Sequence, residues 1–460
     1  DVFAMAKQKK SQIPRIPDLN ALEQINLDAA GLDIGDDEIY ACVPRDRSDP
    51  SVRVFSTLTC DIHALADWLQ ECRITTIALE ATGVYWIPII DILEQHGFEV
   101  CLINPRQIKF KKKTDVLDCQ WIQQLHTYGL LSSSFRPPDD IRTLRSLIRH
   151  RDGLIRYRAA HIQHMQKALV QMNVRLTNVV KDITGVTGMR IIRDIVAGQR
   201  DPATLAQHRD HRCKRSQEEI AKALEGNYRP ELVFTLQQAL ELFDFYSAQI
   251  TACDHQIEQL YAQFDPQVDA DAHPLKPRKR KRNAPEGNEP DFNLRLYLYL
   301  MTGVDLTQID GINALTAQIL LSEIGLDMSK WPTVKHFTSW LHLCPYNDVS
   351  GGKVLKRGTK KTQNRATYAL RMAATSLSRS NSALGAFYRR MRAKFGPVKA
   401  NTATAHKLAR IIYFMLKRRE EYVDPGESYY QEKYRERVVR NLGRKAKALG
   451  FQLVPIPSEA

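Results

Sequence analysis

Residues 74–83 have the sequence ITTIALEATG, an apolar β-rich run that ends in a carboxylate and a turn. Isoleucine and leucine at this density favour a buried strand, and Gly83 favours the turn after it. An amphipathic helix is predicted over residues 86–96, and another strand over Glu99–Ile103. This strand–helix–strand order is typical of a parallel pair with a crossover helix, and it places Glu80 at the end of a rigid strand.

The same alternation extends on both sides of this unit. β-rich sequences occupy residues 31–44 and 52–58, and helical patterns occupy residues 61–72 and 113–128. Region 26–135 is therefore predicted to be an α/β domain, a mixed sheet with helices on its faces.

Four carboxylates in this region lie on predicted strands or on a predicted helix. Asp33 lies inside the first predicted strand, and Glu80 ends a later one. Asp115 and Asp118 are three residues apart on a predicted helix, so that they share one face. Hard divalent cations such as Mg²⁺ take oxygen ligands, and two such ions can flank a phosphate. The set predicts metal-dependent phosphodiester chemistry, although a surface charge is the alternative for any single acid.

The charge of the chain favours a polyanionic partner. The net charge is +14, and residues 349–419 contain 18 lysines and arginines but no aspartate or glutamate. Because like charges repel, this stretch needs an external anion, for which we favour nucleic-acid phosphate over a bland basic surface. Eight scattered cysteines without a C-x-x-C pair argue against a zinc ribbon or a disulfide framework, and favour a reducing cytoplasm. The sequence contains no run of about 18 apolar residues, so no membrane span is predicted.

The remainder is predicted to be all-α. Region 136–264 contains a long helix over 138–175 and a second over 230–264. The second carries apolar residues at three- and four-residue steps, a pattern that fits either an intramolecular antiparallel hairpin or an intermolecular coiled coil. A basic segment with proline and glycine predicts a flexible linker over 265–293.

Two further regions follow this linker. Region 294–420 is predicted to be a mainly helical C-terminal domain, with a loop at 345–359. Region 421–460 is predicted to be a helical tail with an amphipathic helix.

The motifs of the first domain resemble a known family. LEATGVYW at 79–86, NP at 104–105 and TDVLD at 114–118 are similar to the amino-terminal domain of DEDD transposases, the IS110 family of insertion sequences with its IS1111 branch. The resemblance implies a ribonuclease-H-like fold of the RuvC type. It also implies that the four acids described above are catalytic and bind two Mg²⁺ ions.

A second resemblance begins just before the acid-free stretch, residues 349–419, and extends into it. LCPYNDVSGGK at 343–353, with KKTQNR at 360–365 and LRMAA at 370–374, is similar to the carboxy-terminal transposase domain of the same family. The resemblance implies that Ser350 is a nucleophile that forms a phosphoserine–DNA bond in one composite site with the carboxylates and metals. Nine cations are predicted to bind nucleic acid: Lys353, Lys356, Arg357, Lys360, Lys361, Arg365, Arg371, Arg149 and Arg156.

Residues 309–317, IDGINALTA, resemble a helix–hairpin–helix, a motif whose backbone N–H groups contact phosphates. Asn313 replaces the second hairpin glycine, where we expect a left-handed conformation that asparagine tolerates less readily than glycine. A purely structural hairpin is the alternative.

Together these features predict a bacterial insertion-sequence transposase that recombines donor and target DNA. The family resemblance implies guidance by a structured noncoding RNA, the bridge RNA, and a dimer or tetramer in the cytoplasm at the nucleoid. One alternative is a hydrolytic two-metal RuvC-like nuclease or junction resolvase that leaves Ser350 idle. Another is a non-catalytic scaffold that binds RNA or DNA with a degenerate nuclease fold.

Overall fold

The structure is a computed structural model, and it describes residues 19, 22–81, 83–105, 114–277 and 287–454. Three side chains within these ranges are also outside the description: those of Asp348, Lys356 and Arg357. Thr82 of the LEATGVYW motif and residues 278–286 of the predicted basic linker therefore lie outside the described residues.

The chain divides into two units, residues 1–136 and 137–460. The first unit contains alternating strands and helices. They are β1 Ala29–Ile34, β2 Glu38–Cys42, β3 Val52–Ser56, α1 Thr59–Glu71, β4 Thr76–Glu80, α2 Trp86–Gln95, β5 Glu99–Ile103 and α3 Asp115–Thr127. The β-rich run predicted over 31–44 is thus two strands, joined by a turn in which the Gly35 N–H donates to the Glu38 carbonyl over 2.8 Å.

The five strands form one mixed sheet in the order β3-β2-β1-β4-β5. β1 is antiparallel to β2 and parallel to β4, and β4 is parallel to β5. One face packs on α1 and α2, where Leu32 and Leu79 join Leu65 and Ile90 in a buried core. The prediction of a mixed sheet with helices is confirmed, and the arrangement is consistent with a RuvC-like domain.

The second unit is mainly helical. Its first part comprises α4 Asp139–Gln171, α5 Leu176–Val179, α6 Val186–Val196, α7 Pro202–Ala206, α8 Gln217–Ala223 and α9 Pro230–Tyr261. Its second part comprises α10 Leu294–Thr302, α11 Ala314–Ile324, α12 Val334–Trp340, β6 Tyr346–Ser350, β7 Lys353–Gly358, α13 Arg365–Ser376, α14 Ala383–Phe395, α15 Pro397–Arg418 and α16 Gly426–Ala448. None of the described helices is long and apolar enough to cross a membrane.

The two long helices α4 and α9 pack against each other within the chain. The Cys253 thiol lies 3.6 Å from the Leu147 carbonyl, whereas the rings of Tyr157 and Tyr246 are 5.6 Å apart. Residue 147 of α4 thus lies next to residue 253 of α9, and residue 157 lies next to residue 246. The two helices are therefore antiparallel. The apolar stripe of α9 is therefore partly used inside the chain, as the hairpin alternative predicted. Helices α5 to α8 pack at one end of this pair, against the C-terminal part of α4 and the N-terminal part of α9, with Ile191, Leu205 and Ile220 fully buried.

The loop predicted over 345–359 is wrong. These residues form the antiparallel hairpin β6–β7, in which Tyr346 is opposite Gly358 and Ser350 is opposite Lys353. The strands are short and their apolar residues are largely exposed, as Leu355 is at 71%. A strand with so little burial lacks the alternating pattern by which strands are predicted.

Candidate active site

Asp33 and Glu80 lie side by side on adjacent parallel strands. Leu32 on β1 is in register with Leu79 on β4, and the two acids are the next residue on each strand. Side chains alternate between the faces of a sheet. Because Leu32 and Leu79 point into the core beneath α1 and α2, Asp33 and Glu80 belong to the opposite face.

Helix α3 covers that opposite face, and its first turn carries the other two acids. Thr114 caps the helix, and its hydroxyl accepts a hydrogen bond from the Leu117 N–H at 3.3 Å. Asp115 is exposed and Asp118 is buried, with 7% of its surface accessible. Negative charge in the first turn is favourable because it complements the helix dipole. The placement of both acids on one helix is as predicted, but their exposures differ.

The direction of α3 brings its first turn toward Asp33. Near one end of β1, the Gln123 side-chain amide donates to the Ala29 carbonyl over 3.3 Å. Further along β1, Gly31 lies so close to α3 that a Cβ atom there would be 2.5 Å from the Cys119 carbonyl oxygen. Helix α3 therefore runs antiparallel to β1, and residues earlier in α3 lie nearer to Asp33.

The pKa of Tyr40 is affected by the charges of two of these acids, Asp33 and Asp115. It is opposite Asp33 in the β1–β2 pair, and its hydroxyl donates to Glu38 Oε2 at 2.9 Å. The pKa of Tyr40 is raised, first by this hydrogen bond and the Glu38 charge, then by desolvation and the charges of Asp115 and Asp33. Sequence analysis did not identify Tyr40 or Glu38, since only the register of the β1–β2 hairpin brings them to the site.

Cys119, which follows Asp118 on α3, is a neutral buried thiol. It is fully buried, and its thiol donates to the Val116 carbonyl at 3.2 Å. The pKa of Cys119 is strongly raised by its contact with Cys42 and by burial, and the Asp33 charge adds to the effect. The thiol therefore stays protonated and contributes no charge to the site.

The donors of this cluster are chemically suited to Mg²⁺. Carboxylate oxygens are its preferred protein ligands, and it is commonly held by one or two carboxylates together with substrate phosphates. Among the described residues, no three acidic, histidine or cysteine side chains are grouped closely enough to hold a metal ion. Asp33 and Glu80, which are adjacent on neighbouring strands, could supply two ligands, with a substrate phosphate as a further one.

We expect Gly31→Ala to lower the free energy of unfolding by about 1–3 kcal/mol, because the added methyl group overpacks the β1–α3 contact. A Cβ atom there would lie only 2.2 Å from the Gln123 main-chain nitrogen. DNA cleavage should also fall, since α3 carries two of the acids. Chemical denaturation followed by circular dichroism measures the first effect, and a cleavage assay measures the second.

Gly153→Ala is the matched control, since a Cβ atom on Gly153 in α4 meets nothing within 4 Å. The control should be neutral or stabilising, because alanine favours a helix by about 1 kcal/mol over glycine. A Gly31→Ala protein as stable and active as the wild type would contradict the close contact.

Ser350 is exposed at the tip of the β6–β7 hairpin. Gly351 and Gly352 form the two-residue connection, with φ of +56° and +75°. Positive φ at both positions is what a type I′ hairpin turn requires. A Cβ atom at either glycine would meet nothing within 4 Å, so there is room for a larger residue. Glycine is favoured at both positions because of the positive φ. The turn presents the serine hydroxyl at an accessible strand end.

The predicted nucleic-acid contacts near this serine differ in their surroundings. Lys353, Lys360 and Lys361 are exposed, and the Lys360 ammonium lies 4.8 Å from the ring centre of Tyr346. Arg371 is half-buried on α13. The exposed lysines are free to approach a phosphate without breaking an ion pair that the described residues contain.

Two predicted contacts, Arg149 and Arg365, are instead tied into ion pairs within the second unit. Arg149 binds both carboxylate oxygens of Glu323, at 3.0 and 2.8 Å. Arg365 pairs with Asp152 and lies 3.6 Å from Glu323. Arg156 donates to the Asp152 main-chain carbonyl at 3.3 Å. The network joins α4, α11 and α13, and its acids already balance much of the charge of Arg149 and Arg365.

The expected left-handed conformation at Asn313 is wrong. Its φ is −100°, and its side chain caps α11 by accepting a hydrogen bond from the Thr316 N–H at 2.9 Å. Gly311 has the positive φ, +89°, and a Cβ atom there would lie 2.8 Å from the Ala373 carbonyl oxygen. Asparagine stands at this position because it is an effective helix cap.

Two family models match the chain. One, described as a transposase of the DEDD type of IS110, matches residues 30–174, which include all four acids. The other, described as a transposase of the IS116/IS110/IS902 family, matches residues 305–389, which include Ser350. No curated protein matches the chain.

The two matches show that the chain is a DNA transposase. The chain carries both domains of one particular group, and it belongs to the IS110 family of insertion-sequence transposases.

Proposed function

We propose that this transposase recombines DNA at specific sites through a covalent phosphoserine intermediate on Ser350. The observation that carries the proposal is the exposure of this serine at the Gly351–Gly352 turn, inside a stretch of 71 residues without a carboxylate. A phosphate can approach such a turn closely, because glycine has no side chain. After Asp348, the next acidic residue in the sequence is Glu420, so cations outnumber acids around the serine.

In the proposed reaction, Ser350 loses its proton and its Oγ attacks the scissile phosphorus. The bond to the 3′ oxygen breaks, and this oxygen takes up a proton to become a free 3′ hydroxyl. The phosphodiester energy is kept in the serine ester. Attack by a 3′ hydroxyl of the other duplex then releases the serine and joins the strands, so no external energy source is needed.

The four carboxylates serve as the proposed ligands of two Mg²⁺ ions: Asp33, Glu80, Asp115 and Asp118. Bound Mg²⁺ supplies charge neutralisation at the phosphate and lowers the pKa of a coordinated hydroxyl. The support for this assignment is the adjacency of Asp33 and Glu80 and the approach of the first turn of α3 to the same face. Lys353 and its neighbouring cations are suited to stabilise the charge of the transition state.

A trapping experiment tests the covalent intermediate. The protein is incubated with end-labelled substrate DNA and Mg²⁺, denatured with detergent, and analysed by electrophoresis and mass spectrometry. We expect a protein–DNA adduct at Ser350 alongside recombinant products. An active preparation that releases 5′ phosphate ends without any adduct would instead support the hydrolytic nuclease, which uses water in place of the serine.

We propose that a structured guide RNA selects the donor and target DNA in the bacterial cytoplasm, and that the active assembly is a dimer or tetramer. The excess of cations supports a large nucleic-acid load, and two duplexes must be cut and exchanged. Apolar rings exposed on α9, such as Phe234 at 58%, support contacts between copies. Sequencing of the nucleic acid that copurifies with the protein tests the guide, and lack of a discrete RNA species would count against it.

A further inference from the structure

Helix α16 is attached to the rest of the second unit by aromatic rings and cations. None of its 23 residues is buried. The Arg390 guanidinium carbon of α14 lies 3.7 Å from the ring centre of Tyr434 and 5.4 Å from that of Tyr430. The Lys407 ammonium of α15 lies 4.3 Å from the ring centre of Phe387 and 5.6 Å from that of Tyr430. The rings hold two cations at defined positions, since cation–π contacts are attractive.

Two more cations complete the group. Arg410 follows Lys407 by three residues on α15, so both lie on one face of the helix, and Arg437 comes from α16. Burial of the ammonium, followed by the charges of Arg390, Arg410 and Arg437, lowers the pKa of Lys407. We name Arg390, Lys407, Arg410 and Arg437 the tail cation cluster.

No carboxylate balances the tail cation cluster within the part of the chain that the structure describes. None of its four members forms an ion pair there, and two of the three acids of α16 are engaged with other cations. Glu427 lies 2.8 Å from Arg389, and Glu436 lies 3.1 Å from Lys433. Four cations held together without counter-charge repel one another, so a bound anion would stabilise the arrangement.

We propose that the tail cation cluster binds the phosphodiester backbone of a nucleic acid, at a site separate from the Ser350 hairpin. Arginine favours phosphate because its planar group donates two parallel hydrogen bonds, and lysine adds a compact charge. The aromatic rings fix Arg390 and Lys407, while the exposed Arg410 and Arg437 are free to reach an extended chain of phosphates. The inference goes beyond the serine chemistry, because it concerns binding alone.

The test is a double substitution, Arg410→Gln with Arg437→Gln, in the full-length protein. Both side chains are exposed, and neither stacks on a ring, so the fold should be retained. Binding is measured by fluorescence anisotropy with a DNA duplex of arbitrary sequence and with a hairpin RNA, in EDTA and over a series of salt concentrations. On at least one probe, we expect about tenfold weaker binding and a salt slope smaller by about two, one for each lost phosphate contact.

The matched control is Arg418→Gln with Arg444→Gln, which removes the same charge from the same two helices. Arg418 stacks 4.8 Å from the Phe414 ring centre, but Glu420 lies 3.8 Å away and offsets its charge. The control should bind within about twofold of the wild type. Loss on one probe alone identifies the nucleic acid that occupies the site. The proposal is overturned if the cluster variant and the control bind both probes equally. Since EDTA prevents cleavage, failure to trap an adduct at Ser350 would leave this result unaffected.

Discussion

Replacement of Ser350 by alanine is expected to lower strand cleavage and recombination by at least about a thousandfold, because no other atom of the hairpin replaces the attacking oxygen. The serine is exposed at a strand end, so the substitution removes no packing contact. DNA affinity should stay within about twofold of the wild type, and the covalent adduct should disappear. Single-turnover cleavage and the detergent-stable adduct are the two measurements.

Ser428→Ala serves as the matched control, since it makes the same change at an exposed serine on α16. It should leave cleavage, joining and adduct formation unchanged. A Ser350→Ala protein that still cuts DNA at the wild-type rate would exclude the serine as nucleophile. The carboxylates would then be assigned to a hydrolytic reaction.

The fold of the first unit follows from its sequence because burial is strong there. Ile77, Leu79 and Ile90 are fully buried, and such runs are easily recognised as strand and helix cores. The β6–β7 hairpin was not predicted, because its apolar residues are largely exposed. Val349 is 57% exposed, so the only available signal was Gly351–Gly352 between two short β-rich runs, the pattern of a tight hairpin turn.

The sequence predicts those features of the candidate site that depend on the order of strands and helices along the chain. It does not predict those that depend on contacts between residues distant in sequence. The neighbouring positions of Asp33 and Glu80 follow from a parallel pair of strands. Tyr40 enters the site only through the β1–β2 register. Arg365 is balanced by Asp152, which is 213 positions away, and no local pattern announces such a partner.

Ion pairs with residues distant in sequence reduce the number of cations in residues 349–419 that are available to bind nucleic acid. Its 18 cations suggest a uniform demand for an external anion. The structure instead balances some of them with acids from elsewhere in the second unit, as Arg365 is by Asp152 and Arg389 by Glu427. Among the described residues, the exposed lysines near Ser350 and the tail cation cluster form no ion pair, so we expect nucleic-acid contacts at both places.

Asp33→Asn is expected to lower Mg²⁺-dependent cleavage by at least about a hundredfold, because it removes the charge of a proposed metal ligand while its shape is kept. The same change should weaken Mg²⁺ binding, because a neutral amide is a poorer ligand for a hard cation than a carboxylate.

Thermal unfolding with and without Mg²⁺ measures metal binding separately from activity. Mg²⁺ at ten times its dissociation constant should stabilise the wild type by about 1.4 kcal/mol, and this gain should be lost in Asp33→Asn. Asp37→Asn is the matched control, since Asp37 is exposed in the β1–β2 turn and should keep both the gain and the activity. If Mg²⁺ stabilises Asp33→Asn as much as the wild type, Asp33 is not a metal ligand, and its loss of activity must come from another cause.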